Sequence, residues 1–99
     1  MSWATPQIAK LQKGETVSFR PRGNSMKPKI NSGDLVTVSP EIGTLAVGDM
    51  VLCKVKGSHY VHLVKAIDGE RFQIGNNRGG INGWISKNGI YGKVTQVEA

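Results

Sequence analysis

The segment GNSMKP, residues 23–28, is a rigid polar corner between two strand-like stretches of the chain. Pro21 and Pro28 bracket Ser25, fix φ on both sides of it and keep it out of a regular helix. Such a corner can hold a serine hydroxyl in one place, but a hydroxyl becomes a useful nucleophile only when a neighbouring base takes its proton. The alternative interpretation is a polar turn in which Ser25 merely caps the backbone.

The length and composition of the chain predict a single domain. With 99 residues, the chain can build one hydrophobic core but not two, with a helix and arm over residues 1–14 and a β core over residues 15–99. Neither a signal peptide nor a membrane span is predicted, so we expect a soluble, cytoplasmic protein. Cys53 is the single cysteine and has only His59 and His62 as further ligands, so no disulfide, metal or other cofactor is expected.

Basic residues are in excess. There are 13 Lys and Arg against seven Asp and Glu, a formal net charge of +6, which favours polyanions or an acidic partner. Six of the basic residues fall in the first third of the chain: Lys10, Lys13, Arg20, Arg22, Lys27 and Lys29. No Lys/Arg block is interleaved with aromatic residues, as a base-stacking surface requires. Nucleic acid is therefore a possible but not a favoured partner, and a solvated basic surface is the default interpretation.

Hydrophobic periodicity predicts one short helix followed by six strands. A proline near its start and a glycine after its end delimit a helix over residues 6–13. Alternating or β-branched residues predict strands over residues 16–20, 35–38, 50–55, 60–67, 71–74 and 91–97. Residues 75–89 are rich in Gly and Asn and are expected to be irregular. We predict a mostly β fold, a small antiparallel barrel-like sheet with one short N-terminal helix.

His62 is the candidate base for Ser25. Strand alternation places Tyr60, His62 and Val64 on one face and Lys65, the competing base, on the other. A histidine with an ordinary pKa near 6.5 can accept a proton at neutral pH, whereas a lysine must first be strongly desolvated. The alternative is that His62 lies on the solvated side of an ordinary strand.

Four short motifs, in this order, resemble the serine peptidase superfamily that includes signal peptidases and LexA-type self-cleaving repressors. The motifs are Gly23-x-Ser25-Met26-x-Pro28, Gly33-Asp34 before a Val-rich strand, Gly48-Asp49 before another strand, and Gly92-Lys93-Val94. The resemblance covers residues 16–98, and the ordered set is far more specific than any one motif. It implies a LexA/signal peptidase-like fold with Ser25 as the nucleophile.

At the position of the base, the chain is similar to one branch of this superfamily. Bacterial signal peptidases and LexA-type proteins use a lysine there, whereas signal peptidases of archaea, the endoplasmic reticulum and some spore-forming bacteria carry a histidine. Tyr60-Val61-His62-Leu63-Val64 resembles this Ser-His branch, although Leu63 stands where its members usually have Arg. The resemblance implies a catalytic dyad of Ser25 and His62.

The resemblance also implies supporting residues. The Ser-His branch has a Gly-Asp-Asn-like loop whose acid orients the histidine, and Gly75-Asn76-Asn77 is the similar stretch here. Asn76 is expected to orient the imidazole by a hydrogen bond, but it cannot stabilise imidazolium by charge, which predicts slow chemistry or none. Support for the corner and the oxyanion is expected from Gly23, Asn24 and Met26.

Two functional hypotheses follow. The first is a soluble Ser-His endopeptidase that binds its substrate as an added β-strand, with small side chains near the cut as the resemblance implies. The second is a catalytically decayed peptidase-like fold that binds protein or nucleic acid. The sequence shows no anchoring helix, helix-turn-helix or Ala-Gly cleavage site, so it resembles the catalytic core alone.

Overall fold

The computed structural model describes residues 3–23 and 25–99, in which the α-helix is α1, Thr5–Gln12. Leu11 is the buried residue of α1, so the helix packs on the sheet by one face. Gly14 follows the helix with a φ of +86°, and its N–H donates to the Leu11 carbonyl at 2.9 Å. Glycine adopts this left-handed conformation without strain, which explains why α1 ends here. No helix in the described ranges is long and apolar enough to cross a membrane.

The described part of the chain forms one antiparallel sheet of seven strands, in the order β1-β2-β7-β3-β4-β5-β6. The strands are β1 Val17–Phe19, β2 Leu35–Ser39, β3 Met50–Val55, β4 Ser58–Asp68, β5 Arg71–Gly75, β6 Ile81–Ser86 and β7 Ile90–Glu98. Because β1 and β6 end the order without pairing with each other, the sheet is curved but not closed. The predicted fold class, a mostly β barrel-like sheet with a short N-terminal helix, is confirmed.

The sequence predicted six strands and an irregular segment over residues 75–89. This prediction is wrong for the second half of that segment, which is regular. Ile81–Ser86 forms β6, and Lys87–Gly89 forms a short 3₁₀ turn before β7. The register between β5 and β6 shifts so that Asn82 has no paired residue opposite it, and Gly83 has a φ of +146°. This bulge and its glycine interrupt the period of two by which a strand is identified in sequence.

Apolar side chains cover both faces at the centre of the sheet. In β3, Leu52 belongs to one buried cluster, with Leu11 and Met26, whereas Val51 and Cys53 belong to a second cluster on the other side. A strand that is packed on both faces has a continuous apolar run in its sequence, and residues 50–53 of β3 show this pattern before the exposed Lys54. Burial also raises the pKa of the Cys53 thiol to about 12.

Two of the sequence motifs meet at β7, which lies between β2 and β3 in the sheet. Gly92 is buried, and a Cβ built on it would lie 2.5 Å from Val38 Cγ1 and 2.8 Å from the Ser39 carbonyl oxygen. Beside it, Lys93 Nζ lies 3.4 Å from Asp49 Oδ2. The Gly48-Asp49 and Gly92-Lys93-Val94 motifs therefore serve close packing and an ion pair in the fold.

Candidate active site

Ser25 lies in a loop whose two ends are joined by hydrogen bonds. Arg20 Nη1 donates to the Gly33 carbonyl at 2.7 Å, and the Gly33 N–H donates to the Pro21 carbonyl at 3.2 Å. Next to Ser25, the Met26 side chain is buried in the core with 5% of its surface exposed. The corner is therefore held by hydrogen bonds between its flanking residues and by the packing of Met26 in the core.

The structure brings Ser25 and His62 together. Ser25 Oγ lies 3.2 Å from His62 Nε2, although 37 positions separate the two residues in sequence. His62 is in β4, between β3 and β5, and is buried with 6% of its surface exposed. The Tyr60 ring stacks on the imidazole with centroids 4.6 Å apart, so Tyr60 and His62 share one face as the strand alternation predicts.

Asn82 contacts the other ring nitrogen of His62. His62 Nδ1 lies 2.7 Å from Asn82 Oδ1. An amide oxygen accepts hydrogen bonds, so this contact places the proton on Nδ1, and Nε2 is left with its lone pair toward Ser25 Oγ. The β6 bulge puts Asn82 in this position, since a bulged residue is turned out of the regular ladder.

The predicted orienting residue, Asn76, does not occupy this position. Its Oδ1 accepts the backbone N–H groups of Arg78 and Gly80, both at 2.8 Å, and so shapes the turn before β6. Both ring nitrogens of His62 have other partners, Ser25 and Asn82. Asn76 satisfies its own turn, as Asn side chains readily do, and Asn82 occupies the place at the imidazole that was predicted for Asn76. Sequence reasoning missed Asn82, for which Asn-Gly inside a short apolar stretch was the available signal.

The residues predicted to support the corner differ in their placement. The Gly23 N–H donates to Ser32 Oγ at 3.4 Å, within the loop itself. Met26 anchors the corner through its buried side chain. Asn24 lies outside the described residues.

Asn77 connects the corner to the turn before β6. Its backbone N–H donates to the Ser25 carbonyl at 2.8 Å, and its Nδ2 donates to the Lys27 carbonyl at 2.9 Å. Asn77 thus donates hydrogen bonds to the carbonyl groups of the residues on both sides of Met26. The turn that contains Asn77 continues into β6, where Asn82 lies. The same turn therefore helps to position both Ser25 and the Asn82 amide that contacts His62.

Burial determines the charge state of His62. Desolvation lowers the pKa of His62 below its ordinary value of 6.5, and the hydrogen bond with Asn82 opposes part of that shift. The imidazole is therefore neutral at pH 7 and can accept a proton. Lys65, the competing candidate for the base, lies at a β4 bulge with its aliphatic chain against Gly75. The side-chain partner of Ser25 Oγ is His62.

Ser25 and His62 open onto a cleft of about 530 Å³ between the end of β1 and the start of β4. A cleft of this volume is typical of a site that encloses a ligand. Among residues 3–23 and 25–99, no group of three His, Cys, Asp or Glu side chains could hold a metal ion. The paired groups at this cleft that suit nucleophilic chemistry are the Ser25 hydroxyl and the His62 imidazole, and Asn82 contacts that imidazole from behind the cleft lining.

Comparison with known proteins identifies one family model. A model described as Peptidase S24-like matches residues 3–78, more than half of the chain. The matched range includes Ser25 and His62 and ends before Asn82. Among curated proteins, none matches this sequence.

Proposed function

Because the chain belongs to the Peptidase S24-like family, we propose that it is a serine endopeptidase that uses Ser25 as nucleophile and His62 as general base. Membership of this family confirms the resemblance to the superfamily of LexA-type repressors and signal peptidases. The observation that carries the proposal is the 3.2 Å contact between Ser25 Oγ and a buried imidazole that is neutral at pH 7. A catalytic pair requires this kind of reach and protonation state.

In the proposed reaction, Ser25 Oγ attacks the carbonyl carbon of a peptide bond while its proton moves to His62 Nε2. The tetrahedral intermediate then collapses, His62 returns the proton to the leaving amine, and an acyl-enzyme on Ser25 remains. Water, deprotonated by His62, hydrolyses this ester and restores the hydroxyl. The backbone N–H of Ser25 and that of a neighbour are the proposed donors to the oxyanion.

Asn82 acts in this proposal as a positioning residue. It holds the tautomer in which Nε2 is basic, but a neutral amide does not stabilise the imidazolium that forms during attack. The expectation of slow chemistry or none, made from the sequence for Asn76, rests on the neutral amide and so carries over to Asn82 in this proposal. A slow peptidase suits a protein that cuts few bonds rather than one that digests many.

Strand β1 supports substrate binding by strand addition. It pairs with β2 along one side and ends the order of strands in the described sheet. Phe19, its last residue, lines the cleft beside Ser25. An extended peptide that pairs with the free edge of β1 would run along this cleft.

A fluorophosphonate probe tests the proposal. We expect it to form one covalent adduct, in which Ser25 Oγ bonds to phosphorus, fluoride leaves and His62 takes the proton. Intact-protein mass spectrometry should show a single addition, and peptide mapping should place it on Ser25. Ser25→Ala should not react, whereas Ser86→Ala, at an exposed serine outside the cleft lining, should react as the wild type does. A folded wild-type protein that stays unlabelled would contradict the proposal and favour the non-enzymatic binding module.

Replacing Asn82 with Asp should change the pH dependence of labelling. In the wild type, the rate should rise with pH through the lowered pKa of His62, with a midpoint below 6.5. A carboxylate at Nδ1 stabilises imidazolium, so the Asn82→Asp midpoint should move upward by about one pH unit or more. The plateau rate should also increase, because the developing charge is stabilised. Asn76→Asp is the matched control, and an equal shift in that variant would contradict the role given to Asn82.

Replacing Asn77 with Ala should slow labelling without unfolding the protein. The backbone bond to Ser25 remains, but the bond to the Lys27 carbonyl is lost, which should cost about 1 kcal/mol of stability. We expect a labelling rate about tenfold lower, since small misplacements of a nucleophile are costly. Asn88→Ala, on the exposed 3₁₀ turn, is the control. A wild-type rate in Asn77→Ala would show that the backbone bond alone fixes Ser25.

A further inference from the structure

We propose that the cleft beside Ser25 selects peptide segments that carry a bulky apolar side chain and, close to it, an acidic side chain. The selectivity comes from the lining of the cleft, and it rests on the proposed peptidase function only for the cleavage that follows binding. It differs from the small side chains that the family resemblance implied.

The apolar part of the cleft is large and preformed. Met26, Ile30 and Val61 line it and belong to the buried core, with 5%, 4% and 7% of their surfaces exposed. Across from them, Trp3 and Phe19 form an aromatic wall, with ring centroids 5.5 Å apart at 42°. A pocket lined by core residues and a paired aromatic wall favours an apolar side chain.

The volume of the cleft argues for a bulky side chain rather than a methyl group. A space of about 530 Å³ has room for a large side chain together with the peptide backbone, whereas alanine would leave the apolar lining without partner atoms. Leucine, methionine or phenylalanine would bury more apolar surface against the same wall, and each additional buried carbon strengthens binding. Trp3 itself is 48% exposed, so it offers surface that a ligand can cover.

The charge of the cleft is one-sided. Its lining residues include Arg20 and Arg22 and no Asp or Glu. Arg20 is tied to the Gly33 carbonyl, which fixes its position but leaves its charge, and Arg22 is exposed at the rim. A carboxylate on the bound peptide would face these guanidinium groups, whereas a lysine there would be repelled.

Calorimetric titration of Ser25→Ala with four short peptides tests this inference, since that variant binds without cutting. The peptides share a Gly/Ser background and differ in a central Leu or Ala and in flanking Glu or Lys residues. We expect the Leu/Glu peptide to bind tightest. Replacing Leu with Ala should weaken binding about tenfold. Replacing Glu with Lys should weaken it about fivefold in low salt and less in about 0.5 M salt.

Variants of the cleft separate the two contributions. Trp3→Ala should reduce the preference for Leu over Ala, and Arg22→Glu, which leaves Arg20 opposed by one carboxylate, should abolish the preference for Glu over Lys. Lys13→Glu makes the same charge change on an exposed residue outside the cleft lining and should leave that preference as it was. Failure of all four peptides to bind at millimolar concentration, equal affinities, or tighter binding of the Ala peptide would overturn the inference.

The titration and the fluorophosphonate labelling of the wild type together distinguish failure of the selectivity from failure of the peptidase. If the fluorophosphonate labels Ser25 but the four peptides bind equally, the selectivity is wrong and the chemistry stands. If the Leu/Glu preference holds while Ser25 stays unlabelled, the cleft is selective and the proposed hydrolysis is wrong.

Discussion

Replacing His62 with Gln should lower kcat/KM for peptide cleavage by about 10³-fold, the range expected when a general base is lost. Glutamine is polar enough to hydrogen-bond Ser25 and Asn82, but its amide cannot take the proton from the hydroxyl. The attack must then proceed with an unactivated serine. The rate of fluorophosphonate labelling should fall in parallel, since it needs the same proton transfer.

Two comparisons make this prediction specific. The other histidine, His59, also lines the cleft but lies beside the Tyr91 ring at 6.1 Å, whereas the contact of Ser25 Oγ is with His62. His59→Gln should therefore keep the activity within about one order of magnitude. The double variant Ser25→Ala/His62→Gln should be no slower than Ser25→Ala alone, because residues that act as a unit are not additive. If His62→Gln kept wild-type activity with an unchanged fold, another group would have to be the base.

Replacing Gly92 with Ala should lower the free energy of unfolding by about 3 kcal/mol, at the upper end of the cost of overpacking a core. The new methyl group would lie 2.5 Å from Val38 Cγ1 and 2.8 Å from the Ser39 carbonyl oxygen. The second contact is with backbone, which cannot move aside as a side chain tip can. For a domain of this size, the melting temperature should fall by more than about 10 °C.

Gly14→Ala is the informative control for this effect. Gly14 has a φ of +86° and open space around its Cβ position, so alanine there is strained but not crowded. Its cost should be about 1 kcal/mol, the price of a left-handed alanine. Comparing the two by chemical denaturation separates crowding from backbone strain. Equal stabilities of Gly92→Ala and wild type would mean that β7 can move away from β2.

The sequence was sufficient to predict the fold class and the pair of residues that meet at the cleft. A corner fixed by Pro21 and Pro28 and a strand with alternating faces are local features, and each one constrains where a side chain points. The pairing itself was implied by the resemblance carried by the four ordered motifs, and in the structure Ser25 Oγ and His62 Nε2 lie 3.2 Å apart. The family match over residues 3–78 covers the same two positions.

The partner of the second ring nitrogen could not be predicted in this way. Asn76 and Asn82 flank the same turn, and the spacing alone does not show which amide reaches the imidazole. The answer depends on a bulge in β6 and on two backbone N–H groups that occupy Asn76 Oδ1. Bulges and turn hydrogen bonds are set by the fit between strands, so periodicity carries little information about them.

The reactivity of the buried Cys53 thiol can report how often the core of the protein opens. With its pKa raised to about 12 and no surface open to solvent, it is inert toward alkylating reagents while the core is intact. A reagent can modify Cys53 only in molecules whose core has opened. The rate of modification therefore reports the fraction of molecules in the open state. The same shielding keeps sulfur out of competition with oxygen when electrophilic probes are used on the cleft.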